Sequence, residues 1–301
     1  MAETSQTTRR VVVGVDGSAG SAVALQWALD HADHLGAIEP VMTFVSGLYG
    51  HGFGPIEDVD DRGGHYRHEA IERLRMFLEV HAPSLVDAGS VIEDRAGAGL
   101  VEAAKGAELL VVGTRGWGSR VDLSLGSVGA YCAQHSVVPV ALIPPVSPPV
   151  DDHLEVVVGF DGSQHARTAL AWALTHLRLS AQVTAVRAFT SASVAGDPLS
   201  PPPETSEVSA MRELEHGVAA VLAHLPAYPS VELSVIPGDA REALRTAAAD
   251  ADVLVVGSRG HGVLDQLLLG SVAAALVHHP TIPTIVVPHH GSRTETGAVP
   301  E

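Results

Sequence analysis

Gly113-Thr-Arg-Gly116-Trp-Gly-Ser-Arg-Val-Asp-Leu-Ser-Leu-Gly126-Ser127 returns later in the same chain as Gly257-Ser-Arg-Gly260-His-Gly-Val-Leu-Asp-Gln-Leu-Leu-Leu-Gly270-Ser271. Both read G-x2-G-x9-G-[ST]. Each follows a short apolar run, Leu109 to Val112 or Val253 to Val256, and each leads into a small-residue helical pattern. A glycine-rich turn between a buried strand and a helix suits an anionic group. Glycines let backbone N–H groups close on it, and the next helix adds the positive end of its dipole. Arg115 and Arg259 lie inside the turns and can add charge.

Upstream of each copy stands a second repeated signal. Val11-Val-Val-Gly-Val-Asp16-Gly-Ser18 returns as Val156-Val-Val-Gly-Phe-Asp161-Gly-Ser163 at an offset of 145, and Trp27 returns as Trp172 at the same offset. The glycine loops stand at an offset of 144. A nearly constant, domain-length offset means tandem duplication rather than a short-period solenoid. The proline-rich stretch from Pro144 to Asp152 reads as a stiff linker. The expected domains are therefore 1–146 and 147–301.

Each half alternates apolar runs with helical stripes. Val11 to Val15 fits a strand buried on both faces, and Ala22, Leu25, Leu29 and Ala32 follow at helical spacing behind a Ser18 cap. The pattern continues with a strand over Val41 to Val45 and a loop from Ser46 to Gly64 holding six glycines. A helix over His65 to His81, stopped by Pro83, comes next. A weak strand over Ser84 to Glu93 and a short helix over Gly97 to Gly106 follow. Val140 to Ile143 ends the half as its fifth strand. Alternating strands and helices imply an α/β fold of two doubly wound domains, helices covering both faces of each sheet. In such sheets ligands sit beyond the carboxyl ends of the strands, where strand order reverses. Asp16 with the first glycine loop, and Asp161 with the second, fall at such ends.

The bulk numbers narrow the function. The 301 residues are 46% hydrophobic and 18% charged, a globular composition. A formal net charge of -17 argues against nucleic acid and anionic membranes as partners. Cys132 is the one cysteine, which allows no internal disulfide and fits a reducing compartment. The polar start, Met1 to Arg10, and the lack of a long apolar run predict a cytoplasmic protein. With a single lysine, Lys105, the chain has no P-loop, and Gly-Val-Asp-Gly is not the dinucleotide fingerprint.

Asp16 and Gly113 together at strand ends make the chain resemble the universal stress protein family, in the nucleotide-binding, tandem two-domain form found in actinobacteria. The resemblance runs from Arg10 to Val287. It implies five parallel strands per half in the order 3-2-1-4-5, and one ATP site per half with Mg2+ at the phosphates. Carried onto this chain, the first site draws on Gly14, Val15 and Asp16, with Val45 near the base. It then takes Gly113, Thr114, Arg115 and Gly116 from the loop and Gly126, Ser127 and Val128 after it. The second draws on Gly159, Phe160 and Asp161, with Ala188 near the base. Its loop supplies Gly257, Ser258, Arg259, Gly260 and Gly262, followed by Gly270, Ser271 and Val272. The implied role is an ATP-binding sensor or adaptor in stress response, working through an unidentified protein partner. A slow ATPase, an adenylate-transferring enzyme and a cyclic-AMP regulator are the alternatives. No residue stands out as a general base, so catalysis beyond slow ATP hydrolysis is not expected.

Other readings stay beside these. Asp16 and Asp161 could simply cap the following helices, as Ser18 and Ser163 can. Trp27 and Trp172 read as packing residues and Cys132 as a small buried hydrophobe. The seventeen histidines include the pairs His31/His34 and His65/His68, but no partner stands at metal-site spacing, so no metal site is assigned. The two fifth strands are apolar sheet edges, and an apolar edge attracts another strand. They are expected to pair within one chain as a pseudo-dimer, with two chains joining through other surfaces as a homodimer.

Overall fold

Val11, Val12 and Val13 are all fully buried, so the first apolar run has no solvent-facing side. The computed structural model shows why. It describes residues 9–46, 62–116, 125–146, 153–177, 180–189, 206–260 and 269–288. The run forms β1 (Arg10–Gly14), an inner strand with helices above and below. Val11 and Val13 join one buried cluster and Val12 the other, as a period-2 strand requires.

The first half continues with α1 (Ala19–Asp30), the single turn α2 (Ala32–Leu35), β2 (Ala37–Phe44) and α3 (Arg62–His81). It closes with β3 (Ser90–Glu93), α4 (Ala96–Ala103), β4 (Leu109–Gly113), α5 (Ser127–His135) and β5 (Val140–Ile143). The second half repeats it as β6 (Glu155–Gly159), α6 (Gln164–His176), β7 (Gln182–Phe189), α7 (Ser206–Leu222) and β8 (Ser230–Pro237). It ends with α8 (Ala240–Ala247), β9 (Val253–Gly257), α9 (Ser271–His278) and β10 (Thr284–Val287). Among the described residues no helix is long and apolar enough to cross a membrane.

Sequence and structure differ at several places in the first half. β2 begins at Ala37, earlier than the apolar run suggests, because Glu39 and Pro40 interrupt the pattern. β3 pairs with β2 only from Val41 onward, so Pro40 has a strand neighbour on the β1 side alone. The expected strand over Ser84 to Glu93 is split. Pro83–Ala88 winds into a 3-10 turn, and only Ser90–Glu93 pairs. The helix expected from His65 already runs from Arg62. Most of the glycine-rich loop, residues 47–61, lies outside the described residues, as do residues 190–205 and both tails.

The ten strands form one sheet in the order β3-β2-β1-β4-β5-β10-β9-β6-β7-β8. Each half has the expected 3-2-1-4-5 order, and every pairing inside a half is parallel. At the centre β5 and β10 run antiparallel, Ile285 opposite Ala141 and Val286 opposite Val140. The expected edge-to-edge pairing thus turns two sheets into one. Two further contacts cross the seam: His176 Nε2 lies 2.9 Å from Glu108 Oε2, and the Leu125 amide donates to the His278 carbonyl at 2.9 Å. Both buried layers run across it. Helices α1, α3, α6 and α7 cover one face, and α4, α5, α8 and α9 cover the other.

Candidate functional site

Strand order reverses between β1 and its neighbours β2 and β4, and between β6 and its neighbours β7 and β9. Beyond the carboxyl ends of these strands each half opens a cavity, of about 500 Å³ in the first and about 360 Å³ in the second. Both fall in the range of small-molecule sites, roughly 300–1,000 Å³.

One wall is the turn after the first strand. Asp16 Oδ1 accepts from the Ser18 amide at 2.9 Å, and Asp161 Oδ1 from the Ser163 amide at 2.9 Å. Between them Gly17 and Gly162 hold φ of 82° and 84°, a left-handed conformation that favours glycine. Ser18 and Ser163 cap α1 and α6, each accepting at 3.2 Å from the amide three residues on. The two readings of the aspartates are therefore not exclusive. One carboxylate oxygen shapes the turn, and the serine caps the helix.

The second oxygen meets the glycine loop. A Cβ on Gly116 would stand 2.4 Å from Asp16 Oδ2, and one on Gly260 would stand 2.5 Å from Asp161 Oδ2. The second glycine of G-x2-G thus makes room for the aspartate of the opposite wall. The first glycine has another role. A Cβ on Gly113 would lie 2.7 Å from the Gly20 carbonyl oxygen, and one on Gly257 would lie 2.7 Å from the His165 carbonyl carbon. These glycines let β4 and β9 press against the first turns of α1 and α6.

The far end of the motif returns to its start. The Gly126 amide donates to the Thr114 carbonyl at 2.9 Å, and the Gly270 amide to the Ser258 carbonyl at 2.8 Å. Gly126 and Gly270 are also the N-caps of α5 and α9, and among the described residues neither helix has a side-chain cap or an acidic residue in its first turn. The N-terminal turns of both helices, starting at Ser127 and Ser271, line the cavities together with Arg115 and Arg259. Uncapped helix N-termini beside an arginine attract an anion.

Nearly all the expected residues come together. Gly14, Val15, Asp16, Gly113, Thr114, Arg115, Gly116, Gly126, Ser127 and Val128 line the first cavity. Gly159, Phe160, Asp161, Ala188, Gly257, Arg259, Gly260, Gly270, Ser271 and Val272 line the second. Val45 does not. It follows the end of β2 and is 57% exposed, and Thr43 lines the cavity instead. The strand register explains the correction. Gly14 pairs with Val41 and Gly159 with Val186, so the counterpart of Ala188 is Thr43. Ser258 is not among the residues that line the second cavity; its amide donates to the Val287 carbonyl at 2.9 Å. Gly262 is outside the described residues.

Some lining residues were missed. Met42 and Thr43 from β2 and Arg187 from β7 line their cavities, as does Arg73 from α3. Leu100 of α4 and Leu244 of α8 close the floors, where Gly14 and Gly159 let them approach: added Cβ atoms would meet their Cδ1 atoms at 2.7 and 3.0 Å. Arg187 was visible as a lone charge within an apolar strand. Arg73 gave no signal, because a charged helix carries many such residues. Cys132 is fully buried, and burial pushes its thiol up to about 12, as befits a packing residue. Among the described residues no group of three or more His, Cys, Asp or Glu side chains could hold a metal ion.

Two halves of this topology, each with a glycine loop, a glycine-capped helix and a cavity at its switch point, define a tandem doubly wound protein. The profile of the universal stress protein family matches residues 7–144 and again residues 154–288, and the chain belongs to that family. A universal stress protein of Mycobacterium tuberculosis is 28% identical over 310 aligned positions, which cover 93% of this chain and 95% of the relative. Another from that organism is 32% identical over 193 positions, a match spanning 62% of this chain and 64% of the relative's length. Among solved structures, a universal stress protein from Archaeoglobus fulgidus has the same fold, with a TM-score of 0.62 at 19% identity over 94% of this chain and 99% of that one.

Proposed function

We propose that each half binds one ATP and that the chain acts as a nucleotide-responsive regulator in stress response rather than as an enzyme. The observation that carries this reading recurs in both halves: a helix N-terminus capped only by glycine, the arginine of the glycine loop and the end of the second strand line one cavity. Phosphates would lie against Gly126–Ser127 with Arg115, and against Gly270–Ser271 with Arg259. Asp16 and Asp161 would face the nucleoside. Mg2+ would accompany the phosphates and offset part of their charge. The aspartates are the carboxylates among the described lining residues, and each has one oxygen committed to its turn, which leaves them poor candidates for a general base. The buried thiol of Cys132 supports a reducing, cytoplasmic setting. An adaptor also needs a protein partner, and two chains are proposed to join through surfaces outside the seam.

Calorimetry with ATP should give two sites per chain, and Arg259→Ala should weaken one of them. Wild-type protein with no ATP binding would refute the reading. Turnover at or above about one per second, the low end of ordinary enzyme rates, would overturn the regulatory assignment. Light scattering at twice 31.2 kDa supports the homodimer, and a mass of 31.2 kDa refutes it.

A further inference from the structure

The two cavities share a frame but differ along one wall. The strand register that aligns Val41 with Val186 puts Met42 where Arg187 stands. Helices α3 and α7 align by their buried stripes, Ala70, Leu74 and Leu78 against Ala210, Leu214 and Val218. That alignment puts Arg73 where Glu213 stands. The arginine has therefore changed sides. In the second half it rides on the strand and meets a helix glutamate. In the first it rides on the helix, and the strand offers a thioether.

Bulk has changed sides too, which supports the alignment. The same helix register puts Phe77 opposite Gly217, and the strand repeat puts Val15 opposite Phe160. A Cβ on Gly217 would meet Phe160 Cε1 at 2.6 Å, so the second half places its ring just past the strand and leaves the helix bare. In the first half the ring is on the helix, and both Phe77 and Val15 are buried in the same core.

The electrostatic consequences differ. Arg187 Nη1 donates to the Asp161 backbone carbonyl at 2.8 Å, and Nη2 pairs with Glu213. This clamp ties α7, β7 and the turn of Asp161 together, and Glu213 answers the charge of Arg187. Arg73 lines the first cavity, is exposed, and among the described residues pairs with no carboxylate. Its charge adds to that of Arg115 in the same cavity.

We propose that the two cavities are not equivalent sites. The first selects for ligand charge, with Arg73 acting directly on the anionic part. The second is pre-organised, with Arg187 as a positioning residue for the Asp161 turn. The inference rests on reading both cavities as ATP sites. An arginine that no described carboxylate neutralises favours a triphosphate over a monophosphate in a salt-dependent way. A turn held in place before binding lowers the ordering cost for any ligand that uses it.

The test is calorimetric titration of the full chain with ATP and with AMP at low and high salt, in wild type, Arg73→Gln and Arg187→Met. Wild type should show two classes of site, one with the steeper salt dependence. In Arg73→Gln that class should lose about three- to fivefold in ATP affinity, the size of a solvent-accessible charge pair. Its AMP affinity should change less, so the ATP-to-AMP ratio falls. In Arg187→Met the other class should weaken on the order of tenfold for both nucleotides, with its ratio and salt dependence unchanged. Two identical classes in wild type, or an ATP-to-AMP ratio untouched by Arg73→Gln, would overturn this inference and leave the ATP reading standing. Wild-type protein that binds neither nucleotide overturns both.

Discussion

Gly257 and Gly260 stand three residues apart in one motif, yet they answer different physical demands. From sequence both read as room for backbone to approach phosphate. In the structure a Cβ at Gly257 strikes the His165 backbone, whereas a Cβ at Gly260 strikes Asp161 Oδ2. Gly257→Ala should therefore act mainly on folding, at a cost of about 1–3 kcal/mol from overpacking strand against helix. Gly260→Ala should leave stability closer to wild type and weaken nucleotide binding at the second cavity by displacing the carboxylate. Denaturant melts and ATP titrations of the two variants separate these outcomes, and the reverse pattern would sink the assignment. The motif glycines were legible as a set because their spacing is a sequence property. Their separate roles were not, because each depends on a contact from another element. Val45 failed for a related reason: a strand end slipped by a residue or two turns a lining position into an exposed one, and Thr43 takes its place.

Among elements, the inner strands were the most legible. Burial on both faces leaves an uninterrupted apolar run, and no helix pattern competes with it over so short a length. Boundaries were less legible where composition and partner disagreed, as at Pro40 in β2 and in the 3-10 turn after α3. The fit of α7 to β6 gives an element-scale prediction. Gly217→Ala should destabilise the chain by about 1–3 kcal/mol, because the new methyl enters the space of the Phe160 ring. Phe160→Val alone should also destabilise, by leaving a void. Combined, the two changes should cost clearly less than their sum, since each relieves the other. Equilibrium unfolding of the single and double variants measures the coupling, and strict additivity would mean that the ring and the helix do not press on one another.

For the whole molecule, the antiparallel pairing of β5 with β10 makes the two halves one sheet with shared buried layers. The chain should accordingly unfold in a single calorimetric transition, and the amides of Ala141 and Ile285 should exchange as slowly as those of the inner strands. Two resolved transitions, or fast exchange at the seam, would show that the halves behave as independent domains. Edge strands were the clue in the sequence, and the reversal of direction followed from joining like edges. In a dimer of identical subunits, every substitution is written into both partners at once, so neither can change alone. Here both partners lie on one chain, and the seam between them is inherited as a unit. Position 187 can become arginine while position 42 remains methionine, and a mutation tolerated in one cavity leaves its twin intact. Joining the halves frees each of them to diverge.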